Sequence, residues 1–437
     1  MKPSKGVRSE PKLAVRRVVL ALHSVAVGGM ETYCVDLAAE FVRRGIAVTA
    51  IVPADSALDL VAHRFETAGA AVVRLETTAG RGRAAQLRQF LPMMRVLRSL
   101  QPDVVHVNVP GGKGGLVLAA AARLATRGVV VITEHDVPPE HPRMLQRVAQ
   151  LITDRVVHAT LAVSRRNAAV RASRSHPRQT TFASILNGVP VPVLSDVAKR
   201  ANRTRVRAQF NIPDEAVVIG SVVRLADGKG LRDLIGAFAI VASARPCQLL
   251  LVGSGPLLQE LQALTREAGI EACVHFAGEQ RDPGAYVDAM DVFALAVPEG
   301  SMSIALLEAM ARGVAPVITF CGPEEAVIDG ETGLAAPPSD PDGLAAVLSR
   351  LIDDAGLRRR IGDTAEAHVR RHFSIARVAD DVLCVYGTAK HGYVHPEHRA
   401  DGPFNARPGD RPVDDDASVT PANTRTAVAA SAPRTGP

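Results

Sequence analysis

Short apolar runs alternate with longer segments of helical spacing along the first 390 or so residues, and this alternation constrains the fold more than any single motif. Arg17–Leu22, Ala47–Val52, Ala71–Leu75, Val104–Val107, Val129–Thr133 and Leu161–Val163 read as strands. Between them, Met30–Arg44, Ala84–Leu100 and Leu116–Thr126 carry apolar residues at helical spacing. Strands that are apolar on both sides and alternate with helices predict a parallel sheet covered on both faces. The alternation breaks at "NGVPVPVLSDVAKRANRTRVRAQFNIPDE", which is polar and turn-rich. It restarts with Val217–Val222, Gln248–Val252, Val274–Phe276, Val292–Leu295 and Ala315–Thr319. The expected fold is α/β, with two doubly wound, Rossmann-like parallel-sheet domains joined near residues 190–210 and facing each other across a cleft. A chain of 437 residues is too long for one ordinary core and suits two.

Composition narrows the function classes. A hydrophobic fraction of 47% with a mean hydropathy of +0.10 describes a globular protein. The formal charge of +6 suits an anionic ligand or an anionic membrane surface. No Lys/Arg run is interleaved with aromatics and there is no Trp, so no nucleic-acid partner is expected. The five Cys are scattered, odd in number and without a Cys-x-x-Cys pair, which reads as reduced thiols rather than a disulfide frame or a zinc site. "KLAVRRVVLALHSVAVGG" has the basic start of a signal peptide. Its apolar run Val18–Leu22 ends after five residues at His23, so a first strand behind a basic arm is expected. No stretch approaches the roughly 20 apolar residues of a membrane span, and a cytoplasmic protein is expected. Beyond residue 390 the chain turns to Pro, Asp, Ala, Thr and Arg without periodicity, and disorder is expected there. Its Asp414–Asp416 run is no metal site on that reading, and no metal or cofactor is expected.

Open parallel sheets hold their ligands outside the carboxyl ends of the strands, so the loops there are where chemistry belongs. In "LHSVAVGGMETYCVDLA", Gly28 and Gly29 precede a helix whose free N–H groups and dipole suit an anion. An ordinary turn has the same sequence, and the Gly-x-Gly-x-x-Gly dinucleotide spacing is absent. In "VVRLADGKGL", Arg224 and Lys229 stand five residues apart on one loop. A planar fork and a point charge suit a diphosphate, although solvated surface cations look alike in sequence. Neither this loop nor "GGKGG" at 111–115 matches a Walker A loop. In "AVPEGSMSIALLEAMARG", Glu299, Gly300 and Ser301 lead into a helix starting near Ser303. Glu308 interrupts that helix's apolar run about a turn and a half in, where a carboxylate can accept both hydroxyls of a vicinal diol.

"SVVRLADGKGLRDLIGAFA", "LLLVGSGPLLQELQ", "VHFAGE", "MDVFALAVPEGSMSIALLEAMARGVAPVIT" and "GPEEAVIDGETGLAAPPSD" occur in this order. Together they resemble the second domain of retaining, nucleotide-sugar-dependent glycosyltransferases of the GT-B fold, family four (group 1). "GGMETYCVDLA", "DVVHVN", "ITEHD", "LAVS" and "ILNGV" resemble the first domain of that family, and "RRHFSIARVADDVLCVY" its closing helix. The resemblance covers roughly residues 17–388. It implies a flexible arm over 1–15, an acceptor-binding domain over 16–192, a donor domain over 193–374, a closing helix over 375–389 and a tail over 390–437.

The resemblance also implies residue roles. Arg224 and Lys229 hold the donor diphosphate, and Glu308 takes the ribose hydroxyls. Glu299 faces the donor sugar, helped by backbone amides around Gly300, Ser301, Met302 and Ser303, with Leu307 on the same donor side. Gly28 and Gly29 touch the diphosphate from the first domain, and Gly278–Gln280 face the nucleobase. His135 lies near the sugar or acceptor, with His23, Glu31 and Asn108 on the acceptor side. One departure stands out: the family separates its two glutamates by seven residues, whereas eight lie between Glu299 and Glu308. A one-residue bulge at the flexible Gly300–Ser301 pair would absorb the difference.

The implied reaction moves a glycosyl group from a nucleoside diphosphate sugar to an acceptor hydroxyl of a glycan, a lipid-linked or a small molecule. Anomeric configuration is retained and no metal is used, since no Asp-x-Asp loop follows a strand. Alternatives on the same fold are a nucleotide-sugar epimerase and a non-catalytic sugar-nucleotide binder. Finally, "AAQLRQFLPMMRVLRSLQP" sets Arg88, Arg95 and Arg98 among Leu87, Phe90, Leu91, Met94 and Leu97. That pattern fits either a helix resting on anionic lipid or one packed on the sheet with Arg at its rim.

Overall fold

The computed structural model describes residues 15–76, 88, 90–110, 115–136, 144–173, 181–192, 195–298, 302–319 and 325–389. The first domain holds strands β1 (Arg17–Leu22), β2 (Ala47–Pro53), β3 (Ala71–Leu75), β4 (Val104–Val109), β5 (Val129–Glu134), β6 (Ala159–Ala162) and β7 (Thr181–Ser184). They form one parallel sheet in the order β3-β2-β1-β4-β5-β6-β7. Its helices are α1 (Gly29–Arg43), α2 (Asp59–Thr67), α3 (Phe90–Leu100), α4 (Leu116–Ala125), α5 (Met144–Val156) and α6 (Arg165–Ser173). After α7 (Asp196–Gln209), the second domain builds a sheet from β8 (Val217–Val222), β9 (Cys247–Val252), β10 (Val274–Gly278), β11 (Val292–Leu295), β12 (Ala315–Thr319) and β13 (Leu334–Ala336). Its strand order is β10-β9-β8-β11-β12-β13, again parallel throughout. Its helices are α8 (Leu231–Ala242), α9 (Leu258–Glu267), α10 (Pro283–Val287), α11 (Ile304–Ala311), α12 (Pro341–Asp353) and α13 (Ala355–His372), and the closing helix is α14 (Ile375–Ala389).

The expected two parallel-sheet Rossmann-like domains are therefore present. In each sheet the strand order reverses between the first strand and its later neighbour, β1 beside β4 and β8 beside β11. A crevice opens at such a reversal because successive crossovers leave toward opposite sides. Both sheets have the continuous Val/Ile/Leu character of strands covered on both faces; β4 and β5 are buried at every position. On one face of the first sheet α1 buries Tyr33, Leu37 and Phe41 with Cys34 and Ala38, the spacing of one helical stripe. On the other, α3 buries Met93, Met94 and Leu97 alongside Leu118, Ala119 and Ala122 of α4.

Three elements, α7, β7 and β13, are absent from the sequence reading. The polar stretch after residue 187 contains α7, capped by the Ser195 hydroxyl, which accepts from the Ala198 N–H at 3.2 Å. Its Arg207 is 1% exposed and serves as a buried fastener. The guanidinium donates to the Asp291 carboxylate at 2.7 Å and to the carbonyls of Ala289, Pro213, Asp214 and Ala216. Strands β7 and β13 are edge strands of four and three residues, too short to show a period in the sequence. In α3, Met94 and Leu97 are packed on the sheet while Leu91 is 59% exposed; Leu87 lies outside the described residues. Among the described residues, no helix is long and apolar enough to cross a membrane.

The chain passes between the domains twice, and the two passages lie side by side. The Val189 N–H donates to the Phe373 carbonyl at 2.9 Å, and the Ile375 N–H donates to the Val189 carbonyl at 2.8 Å. Gly188 permits this closeness, since a Cβ there would sit 2.5 Å from Val378 Cγ2 and 3.0 Å from the Phe373 carbonyl oxygen. From that point α14 returns to the first domain, burying Val378, Ala379, Val382, Val385 and Tyr386, with Arg44 bridging to Asp380.

Candidate functional site

In the second domain, the loop after β8 presents Arg224 and Lys229, both exposed and, among the described residues, without an ion-pair or hydrogen-bond partner. The loop is held by Gly230, which adopts φ +63°; a Cβ there would sit 1.8 Å from the Ala296 carbonyl oxygen. The lysine loop is thereby pressed against the exit of β11, the other wall of the strand-order reversal. Next to it, the loop after β9 turns at Gly253 (φ +136°), whose missing side chain makes room for the Val223 carbonyl, 2.1 Å from where a Cβ would lie. The Gly253 N–H reaches on to the Gly278 carbonyl at 2.8 Å, so the expected nucleobase loop at 278–280 is tied to the same floor.

The exit of β11 leads to α11. Ser303 is its cap, its hydroxyl accepting from the Leu306 N–H at 3.4 Å, and the helix proper begins at Ile304. The first amides of such a helix have no internal partner and carry its positive end, which suits a phosphate. Met302 is buried and its carbonyl accepts from Asn187 Nδ2 at 2.9 Å, fixing the approach to the cap from the linker side. Glu299, Gly300 and Ser301 lie outside the described residues. Leu307 is fully buried in the core. Burial raises the Glu308 carboxyl above its usual range, opposed by Arg312 one turn on and by Arg64 of α2.

The first domain meets this corner directly. Gly28 and Gly29 start α1 at its crevice end, and a Cβ on Gly29 would lie 3.4 Å from Ile304 Cγ1. Neither glycine is left-handed; what they contribute is an uncovered helix start opposite the start of α11. Glu31 turns inward at 4% exposure, where burial raises its pKa against the opposing pull of the Ser24 hydroxyl and the Glu31 and Gly28 amides. Farther along α1, Asp36 faces Glu308 across the domains; burial, then Glu308, lifts its carboxyl to about 7.

Behind the glycine loop lies a buried polar network. His135 Nε2 and Asn108 Oδ1 are 3.1 Å apart, and the Tyr33 ring stands edge-on to His135 at 5.3 Å. Two residues before Asn108 on β4, His106 Nδ1 lies 2.7 Å from the Tyr386 hydroxyl of α14, and its Nε2 lies 2.5 Å from Thr133 Oγ1. Burial pushes both imidazoles down to about 3, so both are neutral at ordinary pH. His23 is half-buried at the end of β1, its amide donating to the Asn108 carbonyl at 2.9 Å, and burial lowers its pKa as well.

Comparison with known proteins bears on this arrangement. Residues 27–190 match the model of Glycosyltransferase Family 4, and residues 202–368 match that of Glycosyl transferases group 1, together more than half of the chain. The chain belongs to the group 1/family 4 glycosyltransferases. The Rhizobium meliloti lipopolysaccharide core biosynthesis glycosyltransferase LpsD is 26% identical over 85% of this chain and 99% of its own. The LpsE glycosyltransferase of the same organism is 31% identical over 40% of this chain. The matched region spans 52% of LpsE, and about half of two other curated relatives. Among solved structures, Anabaena HepE in complex with UDP superposes with a TM-score of 0.70 at 22% identity, covering 84% of this chain and 98% of that one. That likeness establishes the GT-B fold.

Within this glycosyltransferase, the structure brings Arg224, Lys229, Met302, Ser303, Glu308, Gly28 and Gly29 to one crevice. It sets His135 and Asn108 in the wall behind it. Sequence reasoning missed Asp36, Arg64, Asn187, His106 and Tyr386. The signal available for the histidine was a polar residue inside the all-buried run of β4. The others become neighbours only when the two domains close on each other.

Proposed function

We propose that the protein transfers a glycosyl group from a nucleoside diphosphate sugar to an acceptor hydroxyl, with retention of anomeric configuration and without a metal ion. One observation carries this reading. The two cations Arg224 and Lys229, unpartnered among the described residues, the start of α11 and the start of α1 converge where both sheets reverse their strand order. As the glycosidic bond to the diphosphate breaks, negative charge grows on the leaving group and positive charge on the sugar. Preorganised cations and helix amides stabilise the former. Glu308, on the second turn of α11, takes the ribose diol, and Gly278–Gln280 face the base. Glu299 faces the sugar hydroxyls, and the leaving phosphate is the group placed to accept the acceptor proton. His135, neutral and bonded to Asn108, lines the acceptor side as a hydrogen-bonding group and not as a cationic acid. HepE is solved with UDP and with UDP-glucose, which supports the same donor class here.

The test is a panel of nucleoside diphosphate sugars against glycan, lipid-linked and small-molecule acceptors, with and without a chelator, and the product's anomeric configuration read by NMR. Released nucleoside diphosphate together with a retained linkage is expected. Isomerised sugar nucleotide formed without consumption of acceptor would assign an epimerase. Tight nucleotide binding with no turnover across the panel would leave only a binder.

A further inference from the structure

The two passages of chain between the domains meet at one point, Val189 beside Ser374, and such a pivot leaves the angle between the crevice walls to other contacts. One of these lies off the pivot, at the start of α6. The Ser164 hydroxyl accepts from the Asn167 N–H at 3.1 Å and its carbonyl from the Ala168 N–H at 3.0 Å, so Ser164 caps the helix from its own domain. A capping side chain reaches the second or third amide of a helix and leaves the first to be satisfied from elsewhere. The Arg165 N–H finds its acceptor 160 residues away, in the second domain, donating to Glu325 Oε1 at 2.8 Å.

Both ends of this bond are held in place. Glu325 is followed by Ala326 and Val327, which are buried in a core that includes residues of both domains. The Thr332 hydroxyl clasps that turn, accepting from the Ile328 N–H at 2.8 Å and donating to the Ala326 carbonyl at 3.3 Å. At the receiving end Ser164 and Asn167 are buried. A carboxylate on the first amide of a buried helix makes a charge-assisted bond and meets the positive end of the helix dipole. Helix α6 leaves the carboxyl end of β6, and Glu325 follows the carboxyl end of β12, beside the strand β11 that leads to α11. The bond therefore joins the two walls themselves.

We propose that Glu325 is a positioning residue: by completing the start of α6 from the other domain, its carboxylate fixes the angle at which the two walls face each other. The proposal concerns how the walls are held and stands apart from what is transferred between them.

Hydrogen exchange on the full chain, read by mass spectrometry, tests it. Glu325→Ala removes the acceptor. Arg165→Pro removes the donor and leaves a residue that suits the first position of a helix. Each should speed exchange roughly tenfold in the first turns of both α6 and α11, while β4 and β5 exchange as in wild type. Arg165→Ala keeps the amide and should match wild type; Glu325→Gln keeps an acceptor oxygen and should recover most of the protection. Combining Glu325→Ala with Arg165→Pro should add nothing to either alone. Both should also bind inorganic pyrophosphate several-fold more weakly by calorimetry, an arm that rests on the proposed donor crevice. Wild-type exchange in Glu325→Ala and Arg165→Pro would overturn the proposal. So would faster exchange spread through β4 and β5, additive effects in the double variant, or an Arg165→Ala chain that behaves like Arg165→Pro. Failure of pyrophosphate to bind the wild-type chain would count against the donor crevice instead, with exchange still deciding the role of Glu325.

Discussion

The two walls of the crevice solve different problems with different materials. Behind the glycine loop, His106, Asn108, Thr133, His135 and Tyr386 form a buried network that is neutral, closed and complete without a ligand. Across from it, Arg224 and Lys229 stand exposed and unpartnered among the described residues, beside helix amides with nothing internal to bond. The neutral wall is finished when the protein folds. The charged wall is finished only when an anion arrives. A transfer in which charge collects on one departing group needs that asymmetry: preorganised cations on the leaving-group side, and shape without competing charge on the other.

Removing the cations should produce the largest effect. Arg224→Ala or Lys229→Ala is expected to lower kcat/KM by about 10²–10³ with an unchanged melting temperature, because neither side chain supports the fold. A variant that melts early yet turns over normally would break the comparison. Glu308→Ala should cost well over tenfold in activity while staying folded; near wild-type turnover would remove α11 from the donor site. Gly230→Ala forces a Cβ against the Ala296 carbonyl at positive φ and should destabilise by roughly 1–3 kcal/mol while lowering donor affinity, read by denaturant titration and nucleotide binding. On the neutral wall the expected loss is the reverse. Tyr386→Phe strips His106 of a buried partner and should cost about 1–3 kcal/mol of stability with kcat within a few-fold of wild type.

The smallest effect is a pH dependence. Asp36 titrates near 7 in the fold against an ordinary value of 3.8, so the fold favours its neutral form. Its contribution to stability is whole below about pH 4 and is lost as pH rises through 7. Asp36→Asn escapes that loss, so its melting temperature relative to wild type should rise between pH 5 and pH 8. His106 and His135 act in the opposite direction. With folded values near 3 against 6.5, they cost stability as pH falls below 6.5, so wild type should melt earlier in acid.

Much of this was legible in the chain, for identifiable reasons. The strands announce themselves because a sheet covered on both faces demands uninterrupted apolar runs, as in β1, β8 and β11. Arg224 and Lys229 stand out through the family resemblance of their loop, since the cations by themselves read equally as solvated surface charges. What stayed hidden depends on long-range closure. Arg207 reads as a surface charge on a polar helix until the carbonyls of the 213–216 turn fold around it. Asp36 reads as a solvated carboxylate until α11 of the other domain arrives. In α5, periodicity reveals two faces but not which one turns outward, since that choice is made by Arg171 pulling Asp154 inward.

The paired passage at Val189 and Ser374 bears on how the chain tolerates being cut. Because α14 belongs by sequence to the second half yet is packed into the first, a break near residue 194 would leave two fragments that each carry part of the other's core. Expressed as separate pieces, 1–194 and 195–437 should reassemble, with α14 as the peg and the face of α1 as its socket.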